Sequence, residues 1–324
     1  MAPSLPKTYR AAVLDDKGTK LVLKDIDLKL PGPGQVLIKA LACGVCHTDE
    51  FLRQGFLGNS FPRIPGHEVI GDIVAVGEGV TRVREGERVG GPWHGGHDGT
   101  CRSCQRGVFQ TCDNEEINGV TMDGGYAEYV LLRAEAAVRI PSDVDPAEAA
   151  PLLCAGVTTF NSMRRMGVMQ GGLVAVQGLG GLGHLAVQFA SKMGYELGAH
   201  HYVDTSREDP VKALMKLGGA AMICSTAPHP KAISPLVGGL APQGKLIVLA
   251  PLGPVEFDTA TMVTKAASVH GWPSGHALDC EETIAFAGTH GVKCLIEKFP
   301  LDKVQEAFEH MTSGKVRFRA VLTI

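Results

Sequence analysis

Leu173-Val174-Ala175-Val176-Gln177-Gly178-Leu179-Gly180-Gly181-Leu182-Gly183-His184 is a short apolar run, then a glycine-rich turn, then the start of a stretch with helical composition. That order opens a dinucleotide-binding β-turn-α unit. Gly178 permits the tight turn, Gly180 lets a pyrophosphate approach the backbone, and Gly183 allows the helix to pack closely on the strand. Gly181 and Leu182 complete the turn. The phosphates belong at the N-terminus of the helix over residues 184–193, where backbone N–H groups lack partners within the helix. The glycine pattern alone is weak, because many loops match it; the strand before and the helix after give it weight.

Further along, residues 220–224, 245–250 and 267–270 are short apolar segments suited to buried parallel strands. Residues 303–311 predict a helix and 316–324 a last strand. The second half is therefore α/β, with a doubly wound parallel sheet. One interval is too short for that fold. Lys192-Met193-Gly194 reads as the end of the turn's helix, and Leu197-Gly198-Ala199 as the end of another, with only Tyr195 and Glu196 beginning the interval between. A second strand and helix need on the order of 15–20 residues more. A segment is expected to be missing after Glu196. Deleting a central strand leaves unpaired backbone and a hole in the core, which favours residues left out of the sequence over a true deletion. The acid that would bind the ribose of NAD, or the basic patch for NADP, belongs in the same place, so the choice between them is not legible.

Toward the N-terminus the texture changes. Residues 9–14, 36–42, 69–76 and 126–132 are apolar or β-branched runs, with turn signals at Pro31-Gly32-Pro33-Gly34 and Gly77-Glu78-Gly79. This predicts a compact β-rich domain with function on its loops. Asp145-Pro146 offers an N-cap with proline at the first helical position, and residues 147–153 continue as helix.

Cysteines and histidines fill that first part. Cys46 lies in Gly44-Val45-Cys46-His47-Thr48-Asp49, His67 in Gly66-His67-Glu68, and Cys154 in Leu153-Cys154-Ala155-Gly156. Two sulfurs and an imidazole from distant segments suit a tetrahedral zinc site with one position open, the arrangement of a catalytic metal. A run of four ligands, Asp98, Cys101, Cys104 and Cys112, suits a closed structural site instead. Its first position is a carboxylate, a legitimate though harder zinc ligand, with His97 as an alternative donor. Cys43, three residues before Cys46, reads as a small buried hydrophobe. Zinc beside a nicotinamide site means hydride transfer at a polarised carbonyl or alcohol.

Composition narrows the class. The chain has 324 residues, 44% hydrophobic and 20% charged, with a net charge of −3. That gives no electrostatic reason to expect nucleic acid or an anionic membrane as partner. No apolar run approaches the roughly 20 residues that span a bilayer, and the first residues lack the apolar core of a signal peptide. Nine cysteines, several at metal spacing, argue for a reducing compartment, the cytoplasm.

These motifs occur in the order found in zinc-containing medium-chain alcohol dehydrogenases, and the chain resembles the yeast-type and cinnamyl-type branches over essentially its whole length. The resemblance implies a GroES-like catalytic domain from residues 1–153 and 291–324, with a zinc lobe at about 94–115, and a Rossmann NAD(P)-binding domain from 154–290. It implies two zinc ions per chain. Cys46, His67 and Cys154 would hold the catalytic ion, Glu68 would approach it during ligand exchange, and Asp49 would steady His67. Thr48 would pass the substrate proton toward the nicotinamide ribose. Many relatives place a histidine three residues further on; here it is Phe51, which puts the usual relay in doubt and leaves His47, a cofactor-phosphate contact in the yeast-type branch, to take part. Arg319 resembles the family's phosphate-binding arginine. Thr48, Phe51, Trp93 and Cys154 would line a partly aromatic pocket for a small alcohol or aldehyde. The short link from Cys112 to Gly124-Gly125-Tyr126 resembles tetrameric members more than dimeric ones, so a homo-oligomer is expected. Two other readings remain. A zinc-free reductase of activated double bonds has no use for the three ligands together. A non-catalytic metal- or nucleotide-binding relative has no use for Thr48.

Overall fold

The computed structural model describes residues 5–58, 60–195, 201–250 and 253–324, in two compact units. The first comprises residues 1–154, 275–285 and 293–324; the second comprises 155–274 and 286–292. Cys154 and the stretch 275–285 thus group with the first unit, whereas the sequence assigned both to the second domain.

In the first unit the strand Gln35–Val45 is central. It pairs antiparallel with Val69–Val76, Tyr129–Arg133 and Arg319–Thr323. Arg88–Gly91 and Val138–Arg139 extend the sheet on one side, and Ile296–Pro300 lies parallel to Arg319–Thr323 on the other. The helix Val304–Thr312 covers it, burying Val304, Ala307, Phe308 and Met311. That spacing places one apolar stripe on the sheet. Tyr126 and Ala127, expected within a strand, leave the sheet: Tyr126 N–H donates to Pro65 O at 3.0 Å, and Ala12 N–H donates to Tyr126 O at 2.8 Å.

Asp145 caps a helix as expected, its carboxylate accepting the Ala147 N–H at 2.8 Å. The helix does not run on to residue 153, however. Pro146–Ala149 gives way to a 3-10 turn, Ala150–Leu153, and a new helix starts at Ala155. Pro151 has no N–H to continue an α-helical ladder, and Cys154 sits in the break with φ −129° and ψ −75°.

The second unit holds four parallel strands in the order Val174–Gln177, Ala220–Ser225, Leu240–Val248 and Ser268–Gly271. Leu214, Ile223, Ile233, Leu236 and Leu246 form its core. Among the described residues Val174–Gln177 is an edge strand, half-buried throughout. A Rossmann sheet normally carries strands on both sides of that position. The shortfall expected after Glu196 falls at residues 196–200, outside the described residues.

Candidate functional site

Sheet register assembles the first cluster. Val45 lies opposite Ala320 and Cys43 opposite Val69. Cys46 just past one strand, Glu68 just before its neighbour and Arg319 at the head of the other therefore meet at one end of the sheet. Gly44 makes this possible: a Cβ there would lie 1.8 Å from Glu68 Oε2, so only glycine leaves room for the carboxylate. Cys46 then caps the short helix His47–Arg53, and the helix break delivers Cys154.

Donor atoms of Cys46, His67, Glu68 and Cys154 all lie within 4.8 Å of one another. The two sulfurs are 3.9 Å apart; two thiolates bound to tetrahedral zinc at about 2.3 Å stand about 3.8 Å apart. His67 and Glu68 are fully buried, yet His67 Nε2 and Glu68 Oε2 have no hydrogen-bond partner. Such orphans cost roughly 1–3 kcal/mol each, and a cation between them removes that cost. The donors fit a zinc ion.

Charge in this pocket is unevenly shared. Cys46 lies well below the ordinary thiol range, chiefly because the Cys154 thiol hydrogen-bonds to it, although burial opposes this. Cys154 is correspondingly pushed up, by that same hydrogen bond and by burial. Burial works against a charged His67, but Asp49 and Cys46 outweigh it and raise its pKa. Burial raises Glu68 to about 7 against the pull of Arg319. Arg319 is only 5% exposed and binds Glu68 Oε1 through Nη2. The arginine expected at a cofactor phosphate is thus engaged inside the cluster, with Nε unpartnered.

Asp49 Oδ1 stands 3.3 Å from His67 Nδ1. Thr48 Oγ1 is 3.5 Å from Cys46 Sγ. His47 is exposed, its ring edge-on to Phe51 at 5.3 Å. Trp93 meets the His67 ring edge-on at 5.1 Å. Cys43 is fully buried, with burial pushing its thiol up.

The second cluster is local. Donors of Asp98, Cys101, Cys104 and Cys112 again lie within 4.8 Å, and Cys101 and Cys112 Sγ are 3.8 Å apart. Backbone N–H groups point at the sulfurs: Cys104 N to Cys101 at 3.5 Å, Asp98 N and Asn114 N to Cys112 at 3.4 and 3.3 Å. Asp98 accepts from Cys101 N and Thr100 N, which with Asn114 hold it well below the usual carboxylate range. His97 is turned elsewhere, its Nδ1 3.1 Å from His94 Nε2 and its ring stacked on Phe109.

The glycine turn is built for close approach. Gly178 has φ +89°, and a Cβ on Gly183 would lie 1.9 Å from Gly178 O. Nothing lies within 4 Å of a Cβ on Gly180, so its backbone is open to a ligand. Thr226 Oγ1 braces the turn through Gln177 O at 2.9 Å and Gly178 O at 3.1 Å. Gly181 and Leu182 lie in the same turn, and Leu182 precedes the helix Gly183–Lys192. This geometry fits the phosphate end of a dinucleotide; the ribose end falls outside the described residues.

Residues 32–142 match the alcohol dehydrogenase GroES-like domain. The chain is 54% identical to the alcohol dehydrogenase patD of Penicillium expansum, with all of both chains covered. The chain belongs to the zinc-type medium-chain alcohol dehydrogenases. The solved alcohol dehydrogenase of Aeropyrum pernix overlays with a TM-score of 0.88 at 30% identity, covering 97% of this chain and all of that one. A cinnamyl alcohol dehydrogenase of Sorghum bicolor overlays at 0.84 and 31% identity, covering 98% of each. The Penicillium alignment runs over 340 positions against the 324 residues here, so that relative holds residues with no counterpart in this chain.

In this alcohol dehydrogenase, sequence reasoning named the residues that meet in the two donor clusters but missed two features of their surroundings. Arg319 and Glu68 are 251 positions apart, and no local signal pairs them. Tyr126, which donates to Asp49, gave no signal beyond its place after two glycines.

Proposed function

We propose that the chain is a zinc-dependent alcohol dehydrogenase moving hydride reversibly between a primary alcohol or its aldehyde and NAD or NADP. The observation that carries this reading is the buried donor cluster whose His67 Nε2 and Glu68 Oε2 lack partners. Zinc bound there supplies a Lewis acid for the substrate oxygen, and the dinucleotide supplies the hydride acceptor. Cys46, His67 and Cys154 would hold the ion. Glu68 stands ready in the same group, with Arg319 balancing its charge. The Asp98, Cys101, Cys104 and Cys112 set would hold a second, structural zinc.

Thr48 carries the proton. Its hydroxyl can accept from the substrate O–H while donating onward. Phe51 offers no titratable atom for the next step, so His47, exposed and adjacent, is the carrier to solvent. Trp93 and Phe51 supply aromatic surface, which favours apolar or aryl alcohols. Cys46, Cys101, Cys104, Cys112 and Cys154 would have to stay reduced to hold zinc, which supports a reducing compartment, the cytoplasm. Among the described residues no helix is long and apolar enough to cross a membrane.

The test follows absorbance of the reduced nicotinamide with a panel of aliphatic and aryl alcohols, before and after chelation. Turnover that disappears on zinc removal and returns on zinc addition supports the reading. Turnover indifferent to zinc, or reduction of activated double bonds alone, would overturn it.

A further inference from the structure

We propose that Tyr126 is a positioning residue for the histidine of the buried cluster, acting through Asp49. The inference rests on the metal role proposed above for His67. Tyr126 is fully buried, and its hydroxyl donates to Asp49 Oδ2 at 2.7 Å. The same carboxylate oxygen accepts the backbone N–H of Cys46 at 3.0 Å. The other oxygen lies 3.3 Å from His67 Nδ1. One carboxylate, itself 2% exposed, thus links the phenol to two candidate ligands.

The phenol ring is also fitted to the segment that delivers His67. A Cβ on Gly66, the residue before it, would lie 2.6 and 2.9 Å from Tyr126 ring atoms. Gly125 N–H and Tyr126 N–H donate to Gly66 O and Pro65 O at 2.8 and 3.0 Å. Tyr126 therefore fixes the His67 segment by backbone and ring, and Asp49 by its hydroxyl. Burial and the nearby Asp49 charge push the phenol pKa up, so it remains a donor.

A buried carboxylate held at Oδ2 by two donors turns Oδ1 toward the imidazole in one orientation; with Tyr126 Oη gone, Oδ2 keeps only the Cys46 amide. An imidazole depends on such a partner for ring orientation and ligand strength, and outer partners of this kind are typically worth about 10–100-fold in metal affinity or activity. Packing of the ring alone would not use the hydroxyl.

Tyr126→Phe keeps the ring and removes the donor. The measurements are zinc release to excess chelator and the visible spectrum of the cobalt-substituted protein, each made also in an Asp49→Asn background. The expected result is about 10–100-fold faster release of one zinc ion, an altered cobalt spectrum, unchanged release of the second ion and unchanged near-ultraviolet circular dichroism. In the Asp49→Asn background the further effect of Tyr126→Phe should shrink to within about twofold, because the path through Asp49 is already cut. Wild-type release kinetics in Tyr126→Phe, or an equal effect in both backgrounds, would overturn the positioning role while leaving the metal reading intact. Wild-type protein that takes up no zinc at the buried cluster would overturn both.

Discussion

The two donor clusters use the same chemistry by opposite means. Cys46, His67, Glu68 and Cys154 come from segments spread over a hundred residues and meet in a pocket where the first three are buried and Cys154 is half-buried. Its charges are balanced by side chains, Arg319 against Glu68 and Asp49 beside His67. Asp98, Cys101, Cys104 and Cys112 lie in one short segment, and their charges are met largely by backbone N–H groups. A buried site assembled from distant segments depends on the fold to hold it. A local site, conversely, holds its own segment. Losing the first should cost chemistry, and losing the second should cost stability.

The largest effect that could break this contrast is at Cys154. Cys154→Ser should lower kcat by well over 100-fold, beyond the range seen for outer partners of metal ligands, because serine is a poor substitute for thiolate on zinc. Cys43→Ser, in the same buried region, should leave turnover within a few-fold. Steady-state kinetics with zinc content measured on both variants decides the matter; equal loss in the two would mean the ligand choice is wrong.

Thr48→Val sharpens the chemical side. Valine keeps the shape and removes the hydroxyl, so oxidation should fall by roughly 100-fold, the low end for general acid–base catalysis, with zinc retained. The deficit should be steepest at lower pH, where the substrate proton is harder to remove. A pH–rate profile parallel to wild type would show that the proton leaves by another path.

On the other side, Cys104→Ser should cost about 2–3 kcal/mol, a fall of roughly 5–10 °C in Tm. Turnover per folded molecule should stay within about twofold. Thermal melts and kinetics on the same preparation test this, and a lobe variant that melts like wild type but has lost turnover would reverse the assignment of the two clusters.

A smaller effect is expected at Glu281, which anchors the stretch 275–285 in the first unit. It accepts from Arg82 Nη2 at 2.6 Å and Arg139 Nη2 at 2.9 Å. Partial burial disfavours its charge, but Arg139 and Arg82 prevail and hold its pKa below the usual carboxylate range. A depressed pKa in the folded state means stability present above the ordinary glutamate pKa of about 4.3 and lost as pH falls through the folded value. Glu281→Gln should therefore cost about 1–2 kcal/mol at neutral pH. The gap from wild type should narrow in melts as pH falls below the ordinary glutamate pKa of about 4.3; a gap independent of pH would assign the loss to packing.

What was legible in the sequence follows the same division. The glycine turn and the Asp98 segment could be read because their chemistry is local, with spacing and geometry in one stretch of chain. The candidate ligands of the first cluster were named through residue type and family pattern, since nothing in Leu153-Cys154-Ala155 itself points toward Cys46. Pairing over long distances was not legible: Arg319 resembled a cofactor-phosphate contact, and only the register of Ala320 against Val45 brings it to Glu68. The helix Ala155–Arg165 escaped for a related reason. Residues 155–163 are all buried, Thr158, Thr159, Asn161 and Ser162 among them, so polar residues at helical spacing there do not mark a solvent face.

The central claim is that one chain holds two zinc ions of different function. Elemental analysis of the purified protein, followed through stepwise chelation alongside turnover and Tm, tests it most directly. The account predicts two zinc ions per chain, one whose removal abolishes turnover with the fold largely kept, and one whose removal lowers Tm. A single ion would retire the Asp98 site, and protein that turns over alcohols with none would contradict the account.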